Sequence, residues 1–181
     1  MKRGIETVYR SIVFRSRAEA RWAAFFDLLG WPWQYELLDL SGYIPDFIIG
    51  FDRPLLFEVK GDVLPSDVVS SETVRLACSK VELSGWPDRA LVAGSAPLLG
   101  NDEWPTLGLF AAMVDGDDLN GTDAALFHCL ACDAPSINSA GGSYRCLRCG
   151  AYDGDRYVSR FEDANDLWAN ACNATQWKPA A

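Results

Sequence analysis

The sequence has a single histidine, no long apolar run and little positive charge. No segment reaches the roughly 18 consecutive apolar residues that a membrane-spanning helix requires, and the first residues lack the apolar stretch of a secretory signal. We therefore expect a cytoplasmic protein with no membrane partner. The one histidine, His128, limits any mechanism based on a catalytic histidine to one candidate.

The shortage of positive charge argues against a general nucleic-acid binder. The formal net charge is −9 at pH 7, whereas Lys and Arg supply most of the nonspecific affinity for a phosphate backbone. The charge is uneven, because acidic residues gather at 115–118 and 162–166 while arginines gather near the start of the chain. These arginines are Arg10, Arg15, Arg17 and Arg21. Any nucleic-acid contact would therefore depend on a locally positive surface.

Length and composition allow one core of ordinary size and a small second module. The chain has 181 residues, of which 49% are hydrophobic. A polar, turn-rich segment at 115–123 predicts a linker. We therefore expect a main domain over 1–114, a cysteine-containing module over 124–158, and a C-terminal helix and tail over 159–181.

Apolar periodicity predicts an α/β (α+β) main domain with a mixed sheet. Helical spacing occurs over 16–29 and 70–83, and Gly and Pro follow each segment. Short apolar runs bounded by turn residues predict strands, and the first three of these form an antiparallel meander. The predicted strands are 33–38, 43–49, 55–60, 89–93 and 107–114. The resulting order is α-β-β-β-α-β with a further strand.

Two carboxylates and a lysine are predicted to meet on one face of the meander. Strand alternation sends Glu58 and Lys60 to the same side of the third strand. A five-residue loop before that strand would pair Ile49 with Leu55. The same register places Asp46 opposite Glu58, with Cβ atoms roughly 5 Å apart. Like charges in this arrangement destabilise a sheet unless a cation compensates them.

The chemistry of these residues suits a hard divalent cation. Mg²⁺ or Mn²⁺ would be held by Asp46, Glu58 and the backbone carbonyl of Val59, with waters completing the shell. Such an ion lowers the pKa of an attacking water, while Lys60 orients that water or neutralises developing charge. Glu19 adds a third carboxylate beside the apolar stripe of the first helix. The alternative is ordinary surface chemistry: a strand-entry aspartate, a solvated Glu–Lys pair and a first-turn helix charge.

The spacing of the acidic residues and the lysine forms a motif. It consists of Tyr43-Ile44-Pro45-Asp46-Phe47, then Glu58-Val59-Lys60-Gly61 with its glutamate twelve residues after the aspartate, and the upstream helix start Arg15-Ser16-Arg17-Ala18-Glu19. This motif resembles that of the PD-(D/E)XK nuclease superfamily, and the likeness covers about residues 9 to 93. Within the superfamily, the chain looks most similar to small phage or transposon-type endonucleases. The sequence does not distinguish a junction resolvase from a nicking or end-processing enzyme.

The resemblance implies a restriction-endonuclease-like α-β-β-β-α-β core. It implies that Asp46 and Glu58 are metal ligands and that Lys60 is the catalytic lysine. Glu19 corresponds to the acidic residue of the first helix, which assists the metal site. The implied cofactor is Mg²⁺ or Mn²⁺.

Four of the six cysteines form two Cys-x-x-Cys pairs separated by thirteen residues. The pairs are Cys129 with Cys132 and Cys146 with Cys149. Disulfides are disfavoured without a secretory signal, and two such turns converge on one tetrahedral Zn²⁺ through four thiolates. The segment resembles a zinc ribbon, in which zinc is structural rather than catalytic. His128 is adjacent and could replace a ligand, although we favour no ligand role for it.

Several basic side chains are candidate nucleic-acid contacts, although ordinary solvated charge explains those of the main domain equally well and a protein interface explains those of the cysteine segment equally well. They are Arg15, Arg17, Lys80, Arg145 and Arg148.

The leading interpretation is a Mg²⁺- or Mn²⁺-dependent deoxyribonuclease, an endonuclease of DNA processing, recombination or repair. Its expected partner is DNA, including branched or single-stranded DNA. The sequence does not decide between DNA and RNA as the substrate, or between a monomer and a homodimer as the active unit.

A second interpretation is a catalytically inactive nuclease fold. Such a protein would act as a binding or inhibitory module, through the ribbon, on nucleic acid or on a host protein. The acidic net charge motivates it, because an acidic surface can engage basic proteins.

Overall fold

The protein is described by a computed structural model over residues 4–100, 104–112, 121–140, 145–152 and 158–176. Most of the predicted linker (115–120), part of the spacer between the cysteine pairs (141–144) and the end of the tail (177–181) lie outside these described residues. Within the described ranges the helices are α1 (Arg17–Leu28), α2 (Glu72–Leu83) and α3 (Ala164–Ala174), and Pro65–Asp67 forms a 3₁₀ turn. None of these helices is long and apolar enough to cross a membrane.

Most of the described strands belong to one large mixed sheet. In chain order the strands are β1 (Thr7–Tyr9), β2 (Ile12–Phe14), β3 (Trp33–Tyr35), β4 (Phe47–Ile49), β5 (Leu55–Val59), β6 (Ala90–Ala93), β7 (Thr106–Ala112), β8 (Thr122–Cys129), β9 (Ala134–Ser139) and β10 (Val158–Arg160). The sheet has the order β10-β8-β7-β6-β5-β4-β3, and β9 also pairs with β8. Only β5 and β6 are parallel among its described neighbours, and α2 connects them. The predicted α+β class and mixed sheet are confirmed.

Both long predicted helices form and begin at the residues that the sequence favours. The Ser16 hydroxyl accepts a hydrogen bond from the N–H of Glu19, and the Ser71 hydroxyl caps α2 through Val74 in the same way. Gly30 follows α1 with φ of 66°, the left-handed conformation that ends many helices. The helix boundaries therefore follow from local chemistry.

Two strands of the meander are shorter than predicted. The predicted strand 43–49 begins only at Phe47, because Pro45 has no N–H to donate and Asp46 gives its own N–H to a side chain. The predicted strand 33–38 ends at Tyr35, because Glu36 adopts a φ of 47°, outside strand geometry. The antiparallel pairing of β3, β4 and β5 is as predicted.

The hairpin of β1 and β2 is not predicted by the sequence. Its two turn residues, Arg10 and Ser11, both have positive φ, at 46° and 65°. A two-residue turn of this kind normally uses Asn-Gly or Asp-Gly. The usual sequence signal for the hairpin is therefore missing.

Two apolar cores lie on opposite faces of the sheet. Because side chains alternate along a strand, Phe57 of β5 joins the core that contains the buried residues of α1, whereas Leu56 joins the core that contains those of α2. On the α1 side, the Trp22 ring lies 4.9 Å from that of Phe57 and 5.0 Å from that of Trp168 on α3. The helix α3 therefore closes the α1 side of the sheet.

The cysteine-containing segment continues the main sheet. The sequence analysis places residues 124–158 in a module beyond a linker, and the structure pairs β8 of this segment directly with β7. The Trp31 indole also donates to the Pro135 carbonyl at 3.0 Å, and the Asp52 N–H donates to the Leu147 carbonyl at 3.2 Å. These contacts fix the segment against the α1 side of the main domain.

Candidate functional site

The predicted contact between Asp46 and Glu58 is present. The register pairs Ile49 with Leu55 and Phe47 with Phe57, which brings Asp46 opposite Glu58. The Asp46 N–H donates to Glu58 Oε2 at 3.3 Å. Both residues are buried, with 3% and 8% of their surface exposed. Two acidic groups therefore share one desolvated place, where β4 begins and β5 ends.

Lys60 lies on the same face as Glu58, as predicted. Its Nζ is 2.6 Å from Glu58 Oε1, and its side chain is 23% exposed. The other oxygen, Oε2, accepts a hydrogen bond from the Tyr43 hydroxyl at 3.1 Å. Glu58 is thus held by a cation on one side and by a phenol on the other.

Glu19 enters the same neighbourhood from the first turn of α1. It is 7% exposed, and its two oxygens accept hydrogen bonds from the Ser16 hydroxyl at 2.7 Å and the Tyr35 hydroxyl at 2.5 Å. Its charge is close enough to act on the pKa of Asp46. The structure thus brings together all four residues that the sequence predicts for this site.

Arg15 reaches the site from the residue before the helix cap. Its Nη2 lies 2.7 Å from Asp46 Oδ1, and its Nε lies 2.7 Å from Glu36 Oε1. The Asp46 Oδ2 accepts from the backbone N–H of Val59 at 2.7 Å. Sequence analysis predicts Arg15 as a nucleic-acid contact and does not predict this ion pair with Asp46.

Negative charge exceeds positive charge at this place. Burial raises the pKa of Asp46 to about 8, and the nearby charges of Glu58 and Glu19 act in the same direction. The Val59 N–H and the Arg15 guanidinium lower it without reversing the shift. The pKa of Tyr43 is also raised, first by burial and then by Glu58. A shifted carboxyl pKa in a cluster of this kind is a common property of functional sites.

The donor chemistry of this cluster fits a hard divalent cation. Carboxylate oxygens are the protein ligands that Mg²⁺ and Mn²⁺ prefer. Asp46 and Glu58 would hold such an ion, and the Val59 carbonyl stays a predicted ligand. In the described residues, however, the carboxylates are hydrogen-bonded to Arg15 and Lys60. Binding of an ion would therefore require these contacts to rearrange.

The four predicted cysteines form a second candidate metal centre. Their sulfurs all lie within 4.8 Å of one another. Cys129 Sγ is 3.9 Å from Cys149 Sγ, and Cys132 Sγ is 3.8 Å from Cys146 Sγ. Four sulfurs at about 2.3 Å from one zinc ion lie roughly 3.8 Å apart, so these distances match a tetrahedral site. The cluster can hold a metal such as zinc.

His128 lies beside this centre and has a different partner. Its Nε2 is 3.0 Å from Asp133 Oδ1, and it is not part of the convergent group of four cysteines. With four thiolates available, a tetrahedral ion has no need of a fifth ligand. The favoured interpretation of His128, without a ligand role, is consistent with this geometry.

The other predicted basic residues are spread over the surface. Lys80 is exposed on α2 and Arg17 is half-buried at the start of α1. The Arg148 guanidinium donates to the Gly30 carbonyl at 3.5 Å, and Arg145 Nε donates to the Gly150 carbonyl at 3.5 Å. These residues do not form one cluster with the carboxylates, and their role as nucleic-acid contacts stays a prediction.

Three residues at the site have no role assigned by the sequence analysis. Tyr43 bonds to Glu58, Tyr35 bonds to Glu19, and Glu36 bonds to Arg15. Tyr43 stands two residues before Pro45, which gives a weak signal. Tyr35 and Glu36 lie about ten residues before Asp46 and reach the site through the pairing of β3 with β4.

Comparison of this chain with protein-family models, with curated proteins and with solved structures finds no match. The function is therefore inferred from the chemistry of the two sites. Fold alone does not determine function, whereas the chemistry of a site restricts it.

Proposed function

We propose that this protein is a Mg²⁺- or Mn²⁺-dependent nuclease that hydrolyses phosphodiester bonds in DNA. The observation that carries the proposal is the convergence of buried Asp46 and Glu58 with Lys60 on neighbouring strands, with Glu19 beside them on α1. The resemblance of the same residues to the PD-(D/E)XK motif supports the proposal.

The energetic cost of the arrangement also supports a functional role. Burying a charge is costly unless it is paired, and three buried carboxylates here face two cations, Arg15 and Lys60. A purely structural pair would need fewer charges. Such local conflicts are usual where function, and not stability, selects the residues.

The order of elements around the site is a further supporting feature. The chain runs α1-β3-β4-β5-α2-β6, which is the α-β-β-β-α-β order that the PD-(D/E)XK resemblance implies. Glu19 lies on the first helix of this order, Asp46 directly before the second strand and Glu58 on the third strand. Together these features favour a nuclease over other metal-dependent hydrolases.

Each residue has a chemical task in the proposed reaction. Asp46 and Glu58 would hold the divalent ion, which supplies Lewis acidity and an acidified water when bound. Lys60 stands 2.6 Å from Glu58 and is part-exposed, so its ammonium can orient a water or neutralise charge on a phosphate oxygen. Glu19 holds the Tyr35 hydroxyl, which also accepts the Arg15 N–H at 3.2 Å and so fixes the backbone at the entrance to the site.

The cysteine centre has a separate task in the proposal. A closed four-thiolate zinc site contributes folding energy and no catalytic step. We assign it the form of a zinc ribbon whose exposed Arg145 and Arg148 face solvent near the ion. These arginines would contact the phosphate backbone of the substrate.

Cleavage assays test the proposal directly. Zinc-loaded protein is incubated with branched, single-stranded and duplex DNA, and with RNA, in the presence of Mn²⁺. We expect cleavage of at least one DNA substrate by the wild type and by Asp166→Asn, a matched change on the exposed surface of α3. We expect none by Asp46→Asn. The proposal fails if the wild type leaves every substrate intact, or if Asp46→Asn cleaves as fast as the wild type.

The alternative is a non-catalytic binding or inhibitory module. It is favoured by the net charge of −9 and by the ion pairs that already compensate Asp46 and Glu58. This alternative gains support if the assay shows no cleavage but the protein retains nucleic acid or a basic protein, and if that binding disappears when the cysteine centre is removed.

A further inference from the structure

Arg15 holds a position that differs from that of an ordinary surface ion pair. Its side chain is 60% exposed, whereas the Asp46 side chain that it contacts is 4% exposed. The exposed guanidinium therefore contacts a buried carboxylate and covers it on the solvent side.

Both oxygens of Asp46 are occupied in this arrangement. Oδ2 accepts the Val59 N–H, which belongs to the sheet backbone, and Oδ1 accepts Arg15 Nη2. An ion that binds Asp46 through Oδ1 would meet the guanidinium at the same oxygen, where the two positive charges repel each other. The two cations compete for one oxygen.

The charges of the cluster favour that replacement. A metal ion binds the ionised form of the carboxyls, and with Glu19, Asp46 and Glu58 all ionised and Arg15 and Lys60 as the cations the sum is −3 plus +2, or −1. If a divalent ion takes the place of Arg15, the sum is −3 plus +1 plus +2, or zero. The exchange therefore neutralises the buried cluster, and it sets a positive side chain free at the entrance.

The surroundings of Arg15 keep the released side chain close to the site. Its backbone N–H donates to the Tyr35 hydroxyl, and its Nε is held by Glu36, whose side chain is 31% exposed. Glu36 can therefore keep its ion pair with Arg15 after the contact between Arg15 and Asp46 is broken. A planar guanidinium with free N–H groups is well suited to a phosphate, which it binds through two parallel hydrogen bonds.

We propose that Arg15 closes the carboxylate site in the metal-free protein and is exchanged onto a substrate phosphate when Asp46 binds a divalent cation. The inference rests on the proposed nuclease function and adds to it a defined role for one positioning residue. It predicts that metal ion and nucleic acid bind cooperatively, because the first ligand frees the side chain that the second one uses.

Calorimetry with Mn²⁺ on zinc-loaded protein tests the competition. Removal of the competing guanidinium in Arg15→Gln should tighten Mn²⁺ binding about tenfold, the change that corresponds to about 1.4 kcal/mol. Arg75→Gln makes the same charge change on α2, where Arg75 pairs with Glu72, and should leave the affinity unchanged. Asp46→Asn identifies the signal that belongs to this site. A merely structural role of Arg15 predicts unchanged or weaker Mn²⁺ binding.

A second measurement follows the released side chain. In a Lys60→Met background, which prevents cleavage, Mn²⁺ should increase the affinity for a fluorescein-labelled DNA oligonucleotide, and addition of Arg15→Gln should abolish that increase. Arg15→Lys keeps a positive charge next to Asp46 and serves if Arg15→Gln fails to fold. It should give a smaller gain in Mn²⁺ affinity, because lysine lacks the guanidinium fork.

The outcomes separate this inference from the proposed function. If wild type and the Arg15 variants bind Mn²⁺ at Asp46 with equal affinity, the exchange is wrong and the nuclease proposal stands. If no variant takes up Mn²⁺ at Asp46, both are wrong. Tighter metal binding together with loss of the Mn²⁺-dependent gain in DNA affinity supports the exchange.

Discussion

The two candidate metal centres of this protein are built on opposite principles. The carboxylate cluster lies where β4 begins and β5 ends, and Arg15 and Lys60 compensate part of its charge. The cysteine cluster lies at the end of β8, where four sulfurs face one another. The carboxylates of the first centre already have hydrogen-bond partners within the protein, whereas four thiolates this close together require a cation.

The two ions would therefore act on different properties of the protein. An ion at the carboxylates would replace existing contacts. It would therefore change the reactivity of the site more than the stability of the fold. An ion at the cysteines would hold together thiolates that otherwise repel one another, so it would contribute to folding itself. The experiments below separate these two effects.

Removal of zinc should have the largest effect on stability. A strong chelator, or Cys132→Ser, should unfold the segment around β8 and β9, because structural zinc contributes on the order of 10 kcal/mol in small zinc domains. Hydrogen exchange should show loss of protection at 134–139 before loss at 55–59. Cys78→Ser, a half-buried cysteine on α2, is the control and should keep the metal. An equal free energy of unfolding with and without zinc would contradict a structural role for the cysteine centre.

Asp46→Asn should affect catalysis strongly and stability little. The amide keeps the size of the side chain and an oxygen for the Val59 N–H, but it removes the charge that a divalent ion needs. We expect the cleavage rate to fall on the order of 10²–10³-fold, as for loss of one strong electrostatic contact at a reaction centre. Thermal unfolding of the same variant should stay within a few degrees of the wild type. A large drop in melting temperature would mean that Asp46 is mainly structural.

The pKa of Asp46 predicts how the stability of the zinc-loaded protein without Mg²⁺ or Mn²⁺ depends on pH. The folded-state pKa is raised to about 8, so the folded protein binds more protons than the unfolded chain between about pH 4 and pH 8. The free energy of unfolding should therefore fall as pH rises through this range, by on the order of 1 kcal/mol or more from Asp46 alone. Denaturant titrations at pH 5, 6.5 and 8 measure the slope.

Asp46→Asn provides the control for the pH experiment. It should remove that part of the slope and leave the contribution of the other groups. If the variant and the wild type have the same slope, the shifted pKa does not belong to Asp46. Saturating Mg²⁺ should flatten the wild-type slope, because the ion favours the ionised carboxylate.

Tyr43→Phe should have the smallest effect. It removes the hydroxyl that donates to Glu58 Oε2, and loss of such a bond to a charged group typically costs about 1 to 2 kcal/mol of unfolding free energy. Added Mn²⁺ should recover part of this loss if the ion takes over Oε2. Tyr152→Phe, on an exposed tyrosine of the cysteine segment, should change neither quantity.

Local features of the fold could be predicted from the sequence because they depend on few residues. The register of β4 and β5 follows from a loop of five residues, and it places Asp46 opposite Glu58. The convergence of the cysteines follows from the two Cys-x-x-Cys turns. The helices predicted over 16–29 and 70–83 form at Arg17–Leu28 and Glu72–Leu83, because apolar periodicity and a following Gly and Pro are local signals.

Features that depend on distant segments could not be predicted in the same way. The pairing of β7 with β8 joins segments on either side of the predicted linker, and hydrophobic periodicity contains no information on which strands become neighbours. The turn at Arg10 and Ser11 lacks the residues that usually mark such a turn. The partner of Arg15 depends on the approach of α1 to β4, so its charge alone predicted only a surface role.

The pairing of β7 with β8 has a consequence for how the protein can be divided. A chain ending at Ala112 would keep every predicted catalytic residue, yet it would expose the edge of β7 that β8 covers in the intact sheet. Such an edge offers unsatisfied N–H and C=O groups to other molecules and favours aggregation. It would also leave the Trp31 indole without the Pro135 carbonyl. The cysteine-bearing segment is therefore a poor candidate for deletion or transplantation, and a shortened protein that precipitates would say nothing about catalysis.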